Sequence, residues 1–197
     1  MKPNKTWIVG LVSLAIGGCS SGGVLSLQLT DAPPDTANMS TAIVTLAAAE
    51  AHFAGGDGDD DNDGGFKDEK GDKGENGGWV RVTGTPKSYD LLRLQNGLTE
   101  LVGELALPVG KITQIRLFID EGGTNAVTLK DGRICPLDLK DVDKTGIKIN
   151  HPFKALSIKD GRVLEVVLDF DLKESVDQVA PCVYQLKPVI KIKTVKE

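Results

Sequence analysis

Val163-Leu164-Glu165-Val166-Val167-Leu168-Asp169-Phe170-Asp171-Leu172 places Leu164, Val166, Leu168, Phe170 and Leu172 on one face, with Glu165, Asp169 and Asp171 on the other. Successive side chains of a strand point to opposite sides, so this period of two buries one face and wets the other. Just ahead lies Asp160-Gly161, a favoured two-residue hairpin turn, with Ala155 to Lys159 as its other arm. The same grammar recurs outward. Ala126 to Lys130 and Arg133 to Leu137 flank Asp131-Gly132. Val24 to Thr30 sets Leu25, Leu27 and Leu29 against Ser26, Gln28 and Thr30, and stops at Asp31-Ala32-Pro33-Pro34-Asp35, where proline removes a ladder donor. Thr41 to Phe53, Trp79 to Val82, Tyr89 to Leu94, Thr99 to Leu107, Ile112 to Asp120 and Gly146 to Asn150 read as further strands. The run Ala47 to Ala51 has helical propensity, but its neighbours favour a strand. Val183 to Val195 closes the chain with Ile190 and Ile192 inward and Lys187, Lys191 and Lys193 outward, and Pro188 marks an edge strand or a bulge. Lys173 to Val179 suits one helical turn. Short strands, frequent turns and little 3.6-residue periodicity predict an all-β chain: an antiparallel β-sandwich with an Ig-like or transthyretin-like Greek key.

One segment breaks this pattern. Residues 55–78 hold nine acids, three lysines and a single large hydrophobe, Phe66, for a net charge of −6. Such a composition cannot bury enough apolar area to offset the entropy of ordering, so it predicts a disordered acidic insertion between two strands.

The N-terminus follows a third logic. Lys2 and Lys5 precede the apolar run from Trp7 to Ile16, then come Gly17, Gly18 and Cys19. Ten residues are too few to span a bilayer, which takes ~20, but they suit a secretory signal. Ile16-Gly17-Gly18-Cys19 resembles the lipobox of bacterial lipoproteins. That resemblance implies a signal peptide over residues 1–18, diacylglyceryl transfer to Cys19, and a short tether over residues 19–23. One acyl chain binds a membrane only marginally, whereas two or three hold durably. Ser20 lacks the Asp that retains Gram-negative lipoproteins at the inner membrane, so the resemblance points to the outer membrane.

Residues 19–197 suffice for one domain, 24–195, with a substantial core. Across 197 residues the net charge is −5, and loss of Lys2 and Lys5 takes it to −7. Nucleic-acid binding usually needs a basic surface, so it is not expected. Cys135 and Cys182 remain after Cys19, and in an oxidising compartment two leftover cysteines most often pair.

The strands carry a further pattern. It comprises Thr30-Asp31-Ala32-Pro33 after a strand, Asp90-Leu91-Leu92, Gly110 with Gln114-Ile115-Arg116-Leu117, and Gly146-Ile147-Lys148-Ile149. It continues with Leu168-Asp169-Phe170-Asp171, Ser175-Val176 and Tyr184-Gln185-Leu186-Lys187-Pro188-Val189. As a set they resemble the domain-of-unknown-function family numbered four thousand three hundred and eighty-two, from about Gly23 to Lys193. The resemblance implies an all-β domain on an envelope lipoprotein and assigns no activity or catalytic residue.

Three groups of side chains are candidates for chemistry. Asp57, Asp59, Asp61 and Asp63, with Gly64, open like a calcium loop, because alternate carboxylates let a backbone wrap a hard cation. Counted from Asp59, position twelve of that loop is Lys70 rather than Glu, so diffuse calcium binding by a solvated loop fits better than an ordered site. Asp169 and Asp171 project from one strand face, and Asp31 is a potential third member of a polar-ligand site, against the alternative of turn hydrogen bonds. His52 and His151 lack partners at metal-ligand spacing. No nucleophile elbow, Walker loop or zinc-protease motif occurs. The leading expectation is a non-enzymatic, lipid-anchored envelope module binding a glycan or an envelope protein. The alternatives are a calcium-responsive adhesion or assembly lipoprotein and a hydrolase using Asp169 and Asp171.

Overall fold

The computed structural model describes residues 21–31, 38–55, 78–149 and 154–197. Its strands are, in chain order, β1 (Gly22–Thr30), β2 (Met39–Gly55), β3 (Gly78–Thr83), β4 (Lys87–Asp90), β5 (Glu100–Pro108), β6 (Gly110–Ile119), β7 (Ala126–Leu129) and β8 (Ile134–Asp138). Then come β9 (Ile147–Lys148), β10 (Leu156–Ile158), β11 (Val163–Phe170), the helical turn α1 (Leu172–Ser175), β12 (Val176–Ala180), β13 (Val183–Leu186) and β14 (Ile190–Lys196).

They form two sheets. The larger is organised around β2, whose 17 residues pair along one edge with β3 then β4, and along the other with β6 then β7. The smaller runs β14-β11-β1-β5. Alternation does what the sequence implies. Leu25, Leu27 and Leu29 of β1 and Leu164, Val166, Leu168 and Phe170 of β11 join one buried cluster with Ala49, Ala51 and Phe53 of β2 and Ile112, Ile115 and Leu117 of β6. Each large side chain so buried contributes roughly 1.5–3 kcal/mol.

The all-β expectation holds, while the purely antiparallel pairing is corrected to two mixed sheets. β1 runs parallel to β11, Leu25 opposite Leu164, and β13 runs parallel to β8, Tyr184 opposite Leu137. Neither pair is joined by a hairpin, so no turn sets its direction. Ser26 and Val167 are buried as well as the alternate leucines, as strands covered on both faces require.

Boundaries move too. Gly22 and Gly23, assigned to the tether, belong to β1. A Cβ on Gly23 would sit 2.4 Å from the Lys159 carbonyl oxygen, so only glycine lets the strand approach the Lys159–Arg162 turn this closely. Tyr89 to Leu94 is a strand only to Asp90, and Leu91–Arg93 is a 3-10 turn. The strand at Val163 ends at Phe170, because Asp171 caps α1 by accepting from the Glu174 N–H at 3.2 Å. At Lys187–Val189, around Pro188, the last apolar run leaves β13 in the larger sheet and enters β14 in the smaller.

Cys135 of β8 and Cys182, between β12 and β13, form a disulfide with Cα atoms 4.9 Å apart. Cys19, Asp57, Asp59, Asp61, Asp63, Asn76 and His151 lie outside the described residues, as does the acidic insertion apart from Gly55 and Gly78.

Candidate functional site

Two places gather the polar chemistry. The first is the end of the smaller sheet, where β1, β11, α1 and β14 meet. The Thr30 hydroxyl donates between the carbonyls of Leu94 and Leu98, at 2.9 and 2.8 Å, and the Asp31 N–H donates to Leu94 at 3.0 Å. These bonds draw Asp31 fully inside. Its Oδ1 accepts from the Leu172 N–H at 3.0 Å, while its Oδ2 has no hydrogen-bond partner among the described residues. Burial pushes the Asp31 carboxyl up to about 7, reinforced by the charges of Asp169 and Asp171 and opposed by the Leu172 N–H and Lys193.

Asp169 and Asp171 therefore do share this corner with Asp31. Lys193 stands 3.7 Å from Asp169 Oδ1 and Lys191 stands 3.9 Å from Asp171 Oδ2. Both lysines come from β14, which pairs with β11. Asp171 is also occupied as the α1 cap. Among the described residues no three His, Cys, Asp or Glu side chains are arranged to hold a metal ion.

The second place is the outward face of the larger sheet, and the sequence did not reveal it. The register sets His52 opposite Trp79 and Glu50 opposite Arg81 on one edge of β2. On the other edge it sets Gln114 opposite His52 and Arg116 opposite Glu50. Lys148 of β9 lies opposite Arg116. Two rows result, Trp79–His52–Gln114 and Arg81–Glu50–Arg116–Lys148. They face away from the core because the alternate residues Ala49, Ala51 and Phe53 face into it.

Contacts lock these rows together. The Arg116 guanidinium lies 3.9 Å from the Trp79 ring centroid and 5.1 Å from that of Phe118, within cation–π range. Its Nε donates to Glu50 Oε2 at 2.7 Å, and Arg81 Nη2 stands 3.5 Å from Glu50 Oε1. His52 meets Trp79 edge to face at 5.3 Å, and its Nδ1 is 2.7 Å from the Thr113 hydroxyl. Trp79 stays half-buried rather than sealed. A shallow cleft bordered by Asp141, Asp143, Lys187 and Pro188 opens beside Lys148. Among the described residues the face thus offers an aromatic surface, amide and imidazole groups, and the cations Arg81, Arg116 and Lys148, with Glu50 between the arginines and Asp141 and Asp143 bordering the cleft beside Lys148. Sequence could have singled out Trp79 and Arg116 as polar-face residues, but only the fold, which sets β3 and β6 on opposite edges of β2, shows that their side chains meet across it.

No curated protein matches the chain, and no solved structure does. The pattern of the family described as Domain of unknown function (DUF4382) matches residues 22–188, and the chain belongs to that family.

Proposed function

We propose that this chain is a lipid-anchored, non-enzymatic binding module of the bacterial cell envelope that takes an acidic glycan on the outward face of its larger sheet. The anchor is Cys19, and Ser20 after it favours the outer membrane. The observation that carries the binding reading is Trp79 stacked on Arg116, with Glu50 fixing the guanidinium. The apolar C–H face of a sugar ring packs on an indole, and the ring hydroxyls need fixed partners such as Gln114 and His52. A uronate carboxylate suits guanidinium and ammonium groups, here Arg81, Arg116 and Lys148, with Glu50 set between the two arginines. A preformed, interlocked surface loses little entropy on binding.

The test is retention of the full chain on immobilised envelope polysaccharides, acidic and neutral. Retention on the acidic set, lost in Trp79→Ala, supports the reading. Equal retention of wild type and Trp79→Ala contradicts it, and capture of envelope proteins with no polysaccharide retained would assign the face to a protein partner.

A further inference from the structure

The carboxylate corner at the end of the smaller sheet holds two buried oxygens, Oδ2 of Asp31 and Oδ1 of Asp169, that meet no donor among the described residues. An unmet buried acceptor is costly, and an unmet charged one more so. Among the described residues, the charged groups around Asp31 are Asp169 from β11, Asp171 at the start of α1, and Lys193 and Lys191 from β14. Three carboxylates against two ammonium groups leave one negative charge in excess, and the most buried of the three is Asp31. Lys193, at 3.7 Å from Asp169 Oδ1, is too far to hydrogen-bond it.

We propose that Asp31 and Asp169 share one proton, held on Asp31 Oδ2 and donated to Asp169 Oδ1, which makes this corner a pH-sensitive latch between β1 and β11. One proton satisfies both orphaned oxygens and brings the corner to zero net charge. Two like carboxylates in one low-dielectric site cannot both ionise cheaply. Above neutral pH the proton leaves to solvent, and two carboxylates face each other with no donor between them. What loosens then is the end of β1, the first strand behind the predicted anchor, where Asp31 binds the Leu172 N–H. The ordinary aspartate value is 3.8 and burial brings Asp31 to about 7, so the folded chain holds a proton that the unfolded chain has released. The stabilisation is fully present below about 3.8 and is lost progressively as pH rises through about 7.

The experiment follows the aspartate side-chain carboxyl carbons of the full chain by NMR from pH 4 to 9, in wild type, Asp31→Asn and Asp169→Asn. Wild type should show one carboxyl titrating near neutral pH, absent in Asp31→Asn. In Asp169→Asn the new amide donates to Asp31 Oδ2, and the proton affinity of Asp31 should fall at least ten-fold. An Asp31 still titrating near neutral pH in Asp169→Asn would mean a lone buried acid and overturn the sharing. So would the absence of any near-neutral carboxyl in wild type. A titration displaced by millimolar calcium would assign the gap to a cation and also overturn it. Thermal unfolding gives an independent readout. Asp31→Asn keeps the shape and hydrogen bonds of the protonated acid, so it should match wild type at pH 4 and exceed it at pH 8. A constant difference between the two across that range contradicts the latch.

Discussion

Arg116 touches Glu50, Trp79 and Phe118 with a single guanidinium, and its side chain is only 22% exposed. Glu50, 11% exposed, takes its closest cation from it. Removing Arg116 strands that carboxylate with only the longer contact to Arg81. Arg116→Ala should therefore cost about 1–3 kcal/mol in urea unfolding. Arg116→Lys should recover only part of this, since an ammonium offers neither the planar stack nor the forked donors. A double variant with Glu50→Gln should cost less than Arg116→Ala alone, because no buried charge is left unpaired. At this scale sequence gave uneven guidance. Asp31, Asp169 and Asp171 stood out because each follows or ends an apolar strand, and the fold does bring them together. That Asp31 lies wholly inside while Asp171 caps a helical turn depends on which carbonyl or N–H each one meets, and periodicity carries no such information.

β11 was legible almost residue for residue, since its alternation is strict. Its parallel partner was not, because β1 lies far away in the chain and no turn sets its direction. β12 was missed for a different reason. As the outermost strand beyond β13, it is exposed from Asp177 to Ala180 and shows no inward face for a pattern to mark. The Cys135–Cys182 bridge holds this peripheral β8–β13–β12 group across 47 residues of chain. Closing such a loop in the unfolded state is worth about 4 kcal/mol in the chain-entropy model. Reduction, or the Cys135→Ser and Cys182→Ser double variant, should lower stability by about 2–4 kcal/mol in denaturant unfolding. The largest gain in hydrogen exchange should fall in β8, β12 and β13 rather than in β1 and β11. Exchange rising uniformly over both sheets would show that the bridge braces the whole fold instead.

For the whole molecule, the proposed anchor at Cys19 would fix an orientation through the first strand. The Gly22 N–H donates to Asp160 Oδ1 and the Gly161 N–H donates to the Gly22 carbonyl, both at 2.8 Å. Two residues separate Cys19 from Gly22, so the three peptide links between them reach at most ~11 Å. A lipid on Cys19 would hold the Lys159–Arg162 turn close to the bilayer. β11 then leads away by ~25 Å to Lys173. Fluorophores placed at Lys159 and Lys173 of the lipidated protein should differ, with the first quenched by brominated lipid and the second not. Equal quenching would contradict this orientation. The acidic composition of residues 55–78 accounts for most of the net charge, so overall charge hid the three cations Arg81, Arg116 and Lys148 of the surface proposed to bind. The most direct test of that surface is tryptophan fluorescence. The chain has two tryptophans, and removal of the proposed signal, residues 1–18, would take Trp7 with it and leave Trp79 as the one reporter. Titration with a uronate-rich envelope polysaccharide should give a saturable change that Arg116→Ala weakens at least ten-fold and a neutral glucan does not produce. An emission that stays flat through the titration, or one that Arg116→Ala leaves unaltered, would contradict the account.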